Sequence, residues 1–117
     1  MSSTEPRSGL KYAWSAIDEN FSAELDSNIK RIGRAFPNYS VKDRDLTAPP
    51  GSPVAGDQYI PKATATGAWA SHETHIATWN GASWEFEIPK TGWLTYVEDE
   101  QVLSVFKSGA WSAGVAI

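Results

Sequence analysis

Three short segments of this chain nearly repeat one another: Thr66-Gly67-Ala68-Trp69-Ala70, Asn80-Gly81-Ala82-Ser83-Trp84-Glu85 and Ser108-Gly109-Ala110-Trp111-Ser112. Each sets a turn glycine and a small residue just ahead of a tryptophan. Glycine-punctuated turns that feed aromatic strands predict a compact β-meander whose core, or whose binding face, is aromatic. The chain carries six tryptophans in 117 residues, and all but Trp14 lie from Trp69 onward. Whether those rings form a core or a face decides what such a domain can do.

The length suits one small domain with an appendage. Hydrophobic residues make up 41% and charged residues 21%, an ordinary globular balance. No apolar run approaches the roughly 18 residues of a spanning helix, so no membrane partner is expected. Met1 to Gly9 is polar and has no apolar stretch of the secretory kind, which predicts synthesis and first folding in the cytoplasm. Cysteine is absent, excluding disulfide staples, thiolate metal sites and thiol nucleophiles together. The net charge is −4 and no Lys/Arg cluster tracks phosphates, so nucleic acid is not expected as a partner. A small unstapled domain also gains much from oligomerisation.

Four regions follow along the chain. Residues 1–9 read as a flexible arm. Residues 10–36 read as one long amphipathic helix for assembly or anchoring. Within it Trp14, Ile17, Phe21, Leu25, Ile29, Ile32 and Phe36 recur every three or four positions, Ser15 and Asp18 have capping spacing, and Gly33 with Pro37 supplies the stop. That stripe must be buried, either on the chain's own β-domain or on copies of itself or a partner. In the second case Trp14, Ile17, Phe21, Leu25 and Ile32 form the contact. Asn28 at the stripe's edge then sets register across a bundle.

Residues 37–56 read as a Pro-rich linker, with the charged patch Lys42-Asp43-Arg44-Asp45 and three prolines among Pro49, Pro50 and Pro53. Residues 57–117 read as a Trp-rich β-domain. Its expected strands are Asp57–Pro61, Thr74–Asn80, Trp84–Ile88, Trp93–Val97, Val102–Phe106 and Trp111–Val115, joined by short turns. The expected fold class is mainly β with an N-terminal helix: a small antiparallel meander or partly closed barrel following one long amphipathic helix.

Several residue groups invite a chemical reading. His72-Glu73-Thr74-His75 is one residue shorter than the zinc-protease spacing and enters a strand, which would send its rings to opposite sides. No metal site is expected there. Glu85 and Glu87 share a strand face about 7 Å apart by strand rise, within the range of paired glycosidase carboxylates. With no cleft to hold them they read as the wet side of a sheet. Glu98-Asp99-Glu100 has acidic oxygens but reads as a hairpin turn rather than a calcium site. The tryptophans remain as candidate sugar platforms. Trp69, Trp79, Asn80, Trp84, Glu85 and Trp111 form the candidate glycan-binding set, with Trp69 and Trp111 expected to be the more exposed because glycine turns flank them. No cofactor is expected.

A longer pattern spans most of the chain. Ala48-Pro49-Pro50, Gly56-Asp57-Gln58-Tyr59-Ile60, Thr66-Gly67-Ala68-Trp69, His75-Ile76-Ala77-Thr78-Trp79, Trp84-Glu85-Phe86, Pro89-Lys90-Thr91-Gly92-Trp93 and Gly109-Ala110-Trp111 together resemble the DUF2793 family. Tyr12-Ala13-Trp14, Asn20-Phe21 and Leu25-Asp26-Ser27-Asn28 resemble the helix that often precedes such a domain. The resemblance implies a virion structural protein, since these domains occur in tail-fibre-like proteins of bacteriophages and gene transfer agents. It transfers no catalytic residue, and no enzyme is expected. It implies partners as well: further copies of the chain, as a homotrimer by the symmetry usual in fibres, and other virion proteins through the arm and helix. Host surface polysaccharide is a third candidate partner. A structural adaptor or decoration protein that binds no receptor, and a stand-alone carbohydrate-binding module, are the alternatives.

Overall fold

The computed structural model describes residues 2–12, 21–36 and 38–116, and the chain divides into two compact units, Met1–Pro37 and Asn38–Ile117. In the first unit, β1 (Ser3–Thr4) and β2 (Lys11–Tyr12) pair antiparallel, with Ser3 opposite Tyr12 and Thr4 opposite Lys11. Their loop winds round one carboxylate. Glu5 Oε1 accepts the amides of Arg7 at 3.0 Å and Ser8 at 2.6 Å, and the Ser8 hydroxyl at 2.8 Å. These bonds, the Ser8 amide first, hold the Glu5 carboxyl below the usual carboxylate range. The stretch read as a flexible arm, residues 1–9, thus contains a two-residue strand and a turn.

Helix α1 (Phe21–Ala35) follows, 15 residues long. It is shorter than the helix expected over residues 10–36 and does not begin the chain. Lys11 and Tyr12 are strand, and the expected segment that includes Trp14 and Ile17 lies outside the described residues. Gly33 sits inside the helix rather than ending it, and the helix stops before Phe36, the residue preceding a proline, where the α conformation is disfavoured.

The second unit holds the expected β-domain, enlarged. Three strands, β4 (Gln58–Tyr59), β5 (Ile76–Trp79) and β6 (Trp84–Glu87), form an antiparallel sheet in that order. Ile76, Ala77 and Thr78 are all buried because the central strand β5 is covered on both faces. A second sheet runs β10 (Val115–Ala116), β8 (Val102–Lys107), β7 (Leu94–Val97), β3 (Tyr39–Val41), with β9 (Ala110–Trp111) also on β8. Pairing is antiparallel except between β3 and β7, which run parallel with Val41 opposite Val97. None of these sheets closes into a barrel, and the parallel pair rules out a pure meander.

Strand β3 comes from the segment expected to be a linker. Tyr39 and Val41 are buried, and Lys42 donates its amide to the Gln58 carbonyl at 2.8 Å, so this stretch is built into the domain. Arg44 shows why. The strand expected over Trp111–Val115 is split by a bulge: Trp111 faces Phe106 but Val115 faces Leu103, so four steps on one strand match three on the other. Gly114, at φ +96°, makes the bulge possible, since a Cβ there would lie 2.6 Å from Val102 Cγ2. The bulge frees the carbonyls of Ser112 and Ala113 from the ladder, and Arg44 takes both, Nη1 at 2.8 Å and Nη2 at 2.9 Å. Glu100 holds the same guanidinium by two bonds, at 2.9 and 2.8 Å.

Candidate functional site

The aromatic residues are brought together by the three-stranded sheet and the loop that crosses it. Tyr59, Ala77, Trp84 and Phe86 lie on one sheet face, as their register requires. A 3-10 turn, Gly67–Trp69, drops Trp69 onto that face. Its ring lies 5.7 Å from Tyr59 and 5.3 Å, edge-on, from Trp84. Trp69 is 0% exposed, contrary to the expectation that its flanking glycine would leave it in solvent. Glycine signals a turn but not the direction in which the next side chain leaves it. Here Gly67, at φ +63°, opens a helical turn that points the indole inward. The ring removes about 150–250 Å² from water, a contribution of roughly 4–6 kcal/mol.

The other candidate sugar platforms are only partly open. Trp111 is half-buried, donates its Nε1–H to the Thr74 carbonyl at 2.8 Å and packs edge-on against Phe106 at 5.3 Å. Trp79 and Trp84 face each other across the β5–β6 hairpin, ring centres 5.2 Å apart, both half-buried. Asn80 serves the hairpin turn, its Oδ1 accepting the amides of Ala82 and Ser83 at 2.8 Å each. Glu85 is half-buried opposite Thr78. Trp79 and Trp84 are thus the part of the candidate set that presents an aromatic edge, while Glu85, paired with Thr78, lies on the opposite face of the sheet.

Glu87 does not lie on a wet face. It is 2% exposed and accepts the Tyr39 hydroxyl at 3.4 Å, on the sheet face where Gln58, Ile76 and Thr78 are also buried. The alternation Trp84-Glu85-Phe86-Glu87 is real, but both sides of the strand are covered, so polarity does not report exposure.

The two histidines also depart from expectation. His72 to His75 form a turn ahead of β5, and their Nδ1 atoms approach to 3.1 Å instead of pointing apart. The His72 ring stacks on Phe86, parallel within 1° at 3.6 Å. Burial, then the charge of His72, lowers the His75 pKa, with Glu73 opposing. Elsewhere the acidic hairpin is divided among partners. Glu98 accepts the Ser40 hydroxyl at 2.8 Å, Glu100 holds Arg44, and Asp99 meets Asp43 and Asp45 with carboxylate oxygens within 4.8 Å of one another. Burial, then the neighbouring carboxylate of Asp43, raises the Asp99 pKa.

In the first unit, the helix residues expected to assemble the chain separate into two faces. Glu24, Asn28, Arg31 and Ala35 are half-buried. Asn28 accepts the Lys11 amide and donates to the Lys11 carbonyl, both at 2.8 Å, and Arg31 Nη1 donates to the Gly9 carbonyl at 2.8 Å. The Asn28 amide, expected at the edge of a bundle contact, is bonded here to the backbone of its own hairpin. The adjoining stripe Leu25, Ile29, Ile32 and Phe36 stands 39, 61, 54 and 79% exposed. Phe21 is on the same helix, while Trp14 and Ile17 lie outside the described residues.

Sequence reasoning missed Arg44, Tyr39 and Tyr59. The first was hidden among acidic neighbours in a Pro-rich stretch, and the tyrosines gave only the weak signal of two- and three-residue strands. Comparison with curated proteins gives no match. A family profile described as a protein of unknown function (DUF2793) matches residues 26–112, from the body of α1 to β9. With most of its length covered by that match, the chain belongs to the DUF2793 family.

Proposed function

We propose that this chain is a non-enzymatic structural component of a phage-type virion that self-associates through α1, as a trimer, and uses its β-unit for attachment to a host surface. The observation that carries this reading is the helix stripe: Leu25, Ile29, Ile32 and Phe36 are aligned and exposed while the polar face beside them is spent on the hairpin. An apolar stripe of this kind is stabilised by a like stripe on another copy. The virion setting and the other virion partners rest on what the family resemblance implies. Host polysaccharide is the proposed target of the Trp79–Trp84 edge. A stand-alone carbohydrate module is less favoured, because Trp69 is enclosed and Trp111 is pinned by Thr74.

Light scattering after size exclusion tests the reading on the full chain and on an Ile29→Asp, Ile32→Asp double variant. The expected result is three chains per particle for the parent and one for the variant, with the melting of the β-unit unchanged. A parent that stays monomeric at all concentrations, or a variant of the same mass as its parent, overturns it.

A further inference from the structure

We infer that His72 and His75 form a two-histidine chelate for a divalent first-row transition metal ion, a site separate from the proposed helix contact and aromatic edge. The two Nδ1 atoms stand 3.1 Å apart, and with metal–nitrogen bonds of about 2.0–2.1 Å that chord subtends about 98° at one ion. This lies between the right angle of square or octahedral coordination and the wider tetrahedral angle. Two imidazoles with no carboxylate completing the set favour copper, nickel or zinc over calcium or magnesium. Among the described residues, the one cluster of three candidate ligands is Asp43, Asp45 and Asp99, so the remaining positions on a His72–His75 ion go to water or to a ligand from outside.

The pair is held in this arrangement by its surroundings. The Phe86 ring fixes the plane of His72 at 3.6 Å and also meets His75 edge-on at 6.5 Å. The turn closes by the His75 amide on the His72 carbonyl at 3.2 Å. Thr74 between them, at φ +69°, is gripped on both sides: its amide donates to Pro61 O at 3.2 Å and its carbonyl accepts Trp111 Nε1 at 2.8 Å. The backbone of the turn is thus fixed before an ion arrives, and the ion has only to replace the hydrogen bond and turn the two rings so that both Nδ1 lone pairs meet on it. The negative charge of Glu73 acts on both rings and offsets part of the charge of a bound cation, while its Oε2 accepts the Ala65 amide. Without metal, the 3.1 Å contact is a hydrogen bond in which one ring donates from Nδ1 and the other accepts. Binding moves that proton to Nε2 of the same ring through solvent, leaving two neutral imidazoles with Nδ1 lone pairs on the ion.

Titration of the full chain with zinc chloride by calorimetry, together with histidine side-chain nitrogen spectra, tests the site. The expected result is one ion per chain, with the Nδ1 resonances of both histidines shifting together. His75→Gln and His72→Gln should each weaken binding by more than the roughly 10–100-fold that loss of an outer-shell partner costs. Asp99→Asn, which removes a carboxylate from the acidic cluster, should leave it unchanged. Zinc affinity that survives both histidine variants, or a shift confined to Nε2, overturns the site. Absence of heat and shift at millimolar zinc also overturns it and leaves the hydrogen bond as the whole explanation. If a variant does not fold, the spectra of the parent chain decide alone.

Discussion

The two units of this chain use polar and apolar side chains in opposite ways. The unit from Asn38 onward encloses Trp69, Val41, Ile76 and Val97 completely and lets its sheets present mixed surfaces to solvent. The unit before Pro37 joins helix to hairpin by Asn28 and Arg31 and, among its described residues, leaves Leu25, Ile29, Ile32 and Phe36 outside. One is a domain that can satisfy its own hydrophobic demand. The other is specified by hydrogen bonds, which fix geometry while adding only about 0.5–1.5 kcal/mol each. A segment of that kind keeps its geometry by few bonds, and the proposed association through Leu25, Ile29, Ile32 and Phe36 would add the burial it lacks.

The largest test of this contrast is Trp69→Ala, which should cost the β-unit about 3–5 kcal/mol in denaturant unfolding. It should leave the amide protection of the Lys11 pairing untouched, because Lys11 and Trp69 belong to separate compact units. Coupled loss of both would break the contrast. Arg44→Ala should cost about 2–3 kcal/mol, since the Ala113 carbonyl loses its donor, the Ser112 carbonyl falls back on the Ser104 hydroxyl, and Glu100 loses its partner. Arg44→Lys should recover less than half, because an ammonium cannot span both carbonyls and the carboxylate.

Asn28→Ala should have a smaller and strictly local effect of about 1 kcal/mol, read as faster hydrogen exchange at Lys11 with the β-unit midpoint unchanged. The smallest effect concerns acid. Arg44 and its bonds hold the Glu100 carboxyl below its ordinary value of 4.5, so the stabilisation is present above that pH and is lost as pH falls through the lowered value. The pair is partly exposed, so the loss should stay under about 1 kcal/mol and should vanish in Arg44→Ala.

Much of the β-unit was legible because its signals are local. Asn80-Gly81 and Ser108-Gly109 mark turns through backbone preference alone, and the strands around them begin within a few residues of expectation. What was illegible depends on distant partners. Nothing in Tyr39-Ser40-Val41 reveals that it pairs with β7, because a short parallel strand has no turn to announce it. Ser112 to Gly114 reads as ordinary strand until Val102 beneath it is known to leave no room for a Cβ. The apolar periodicity of α1 was visible, but that Asn28 faces inward while Ile29 faces out is set by Lys11 and Gly9, 17 residues or more away. Of the candidate sugar residues, the sequence showed the rings but not which were already enclosed by others.

The parallel pairing of β3 has a consequence for the order in which this domain forms. Ser40 is joined to Glu98, 58 positions later, so the strand synthesised first is among the last to find its place. The hairpins β5–β6 and β7–β8 close short loops and can nucleate locally, whereas β3 must await β7 and then carry the entropy of a long loop closure. During translation Tyr39 and Val41 therefore leave the ribosome well before their seats exist, and for that interval the chain offers an unpaired strand to its neighbours.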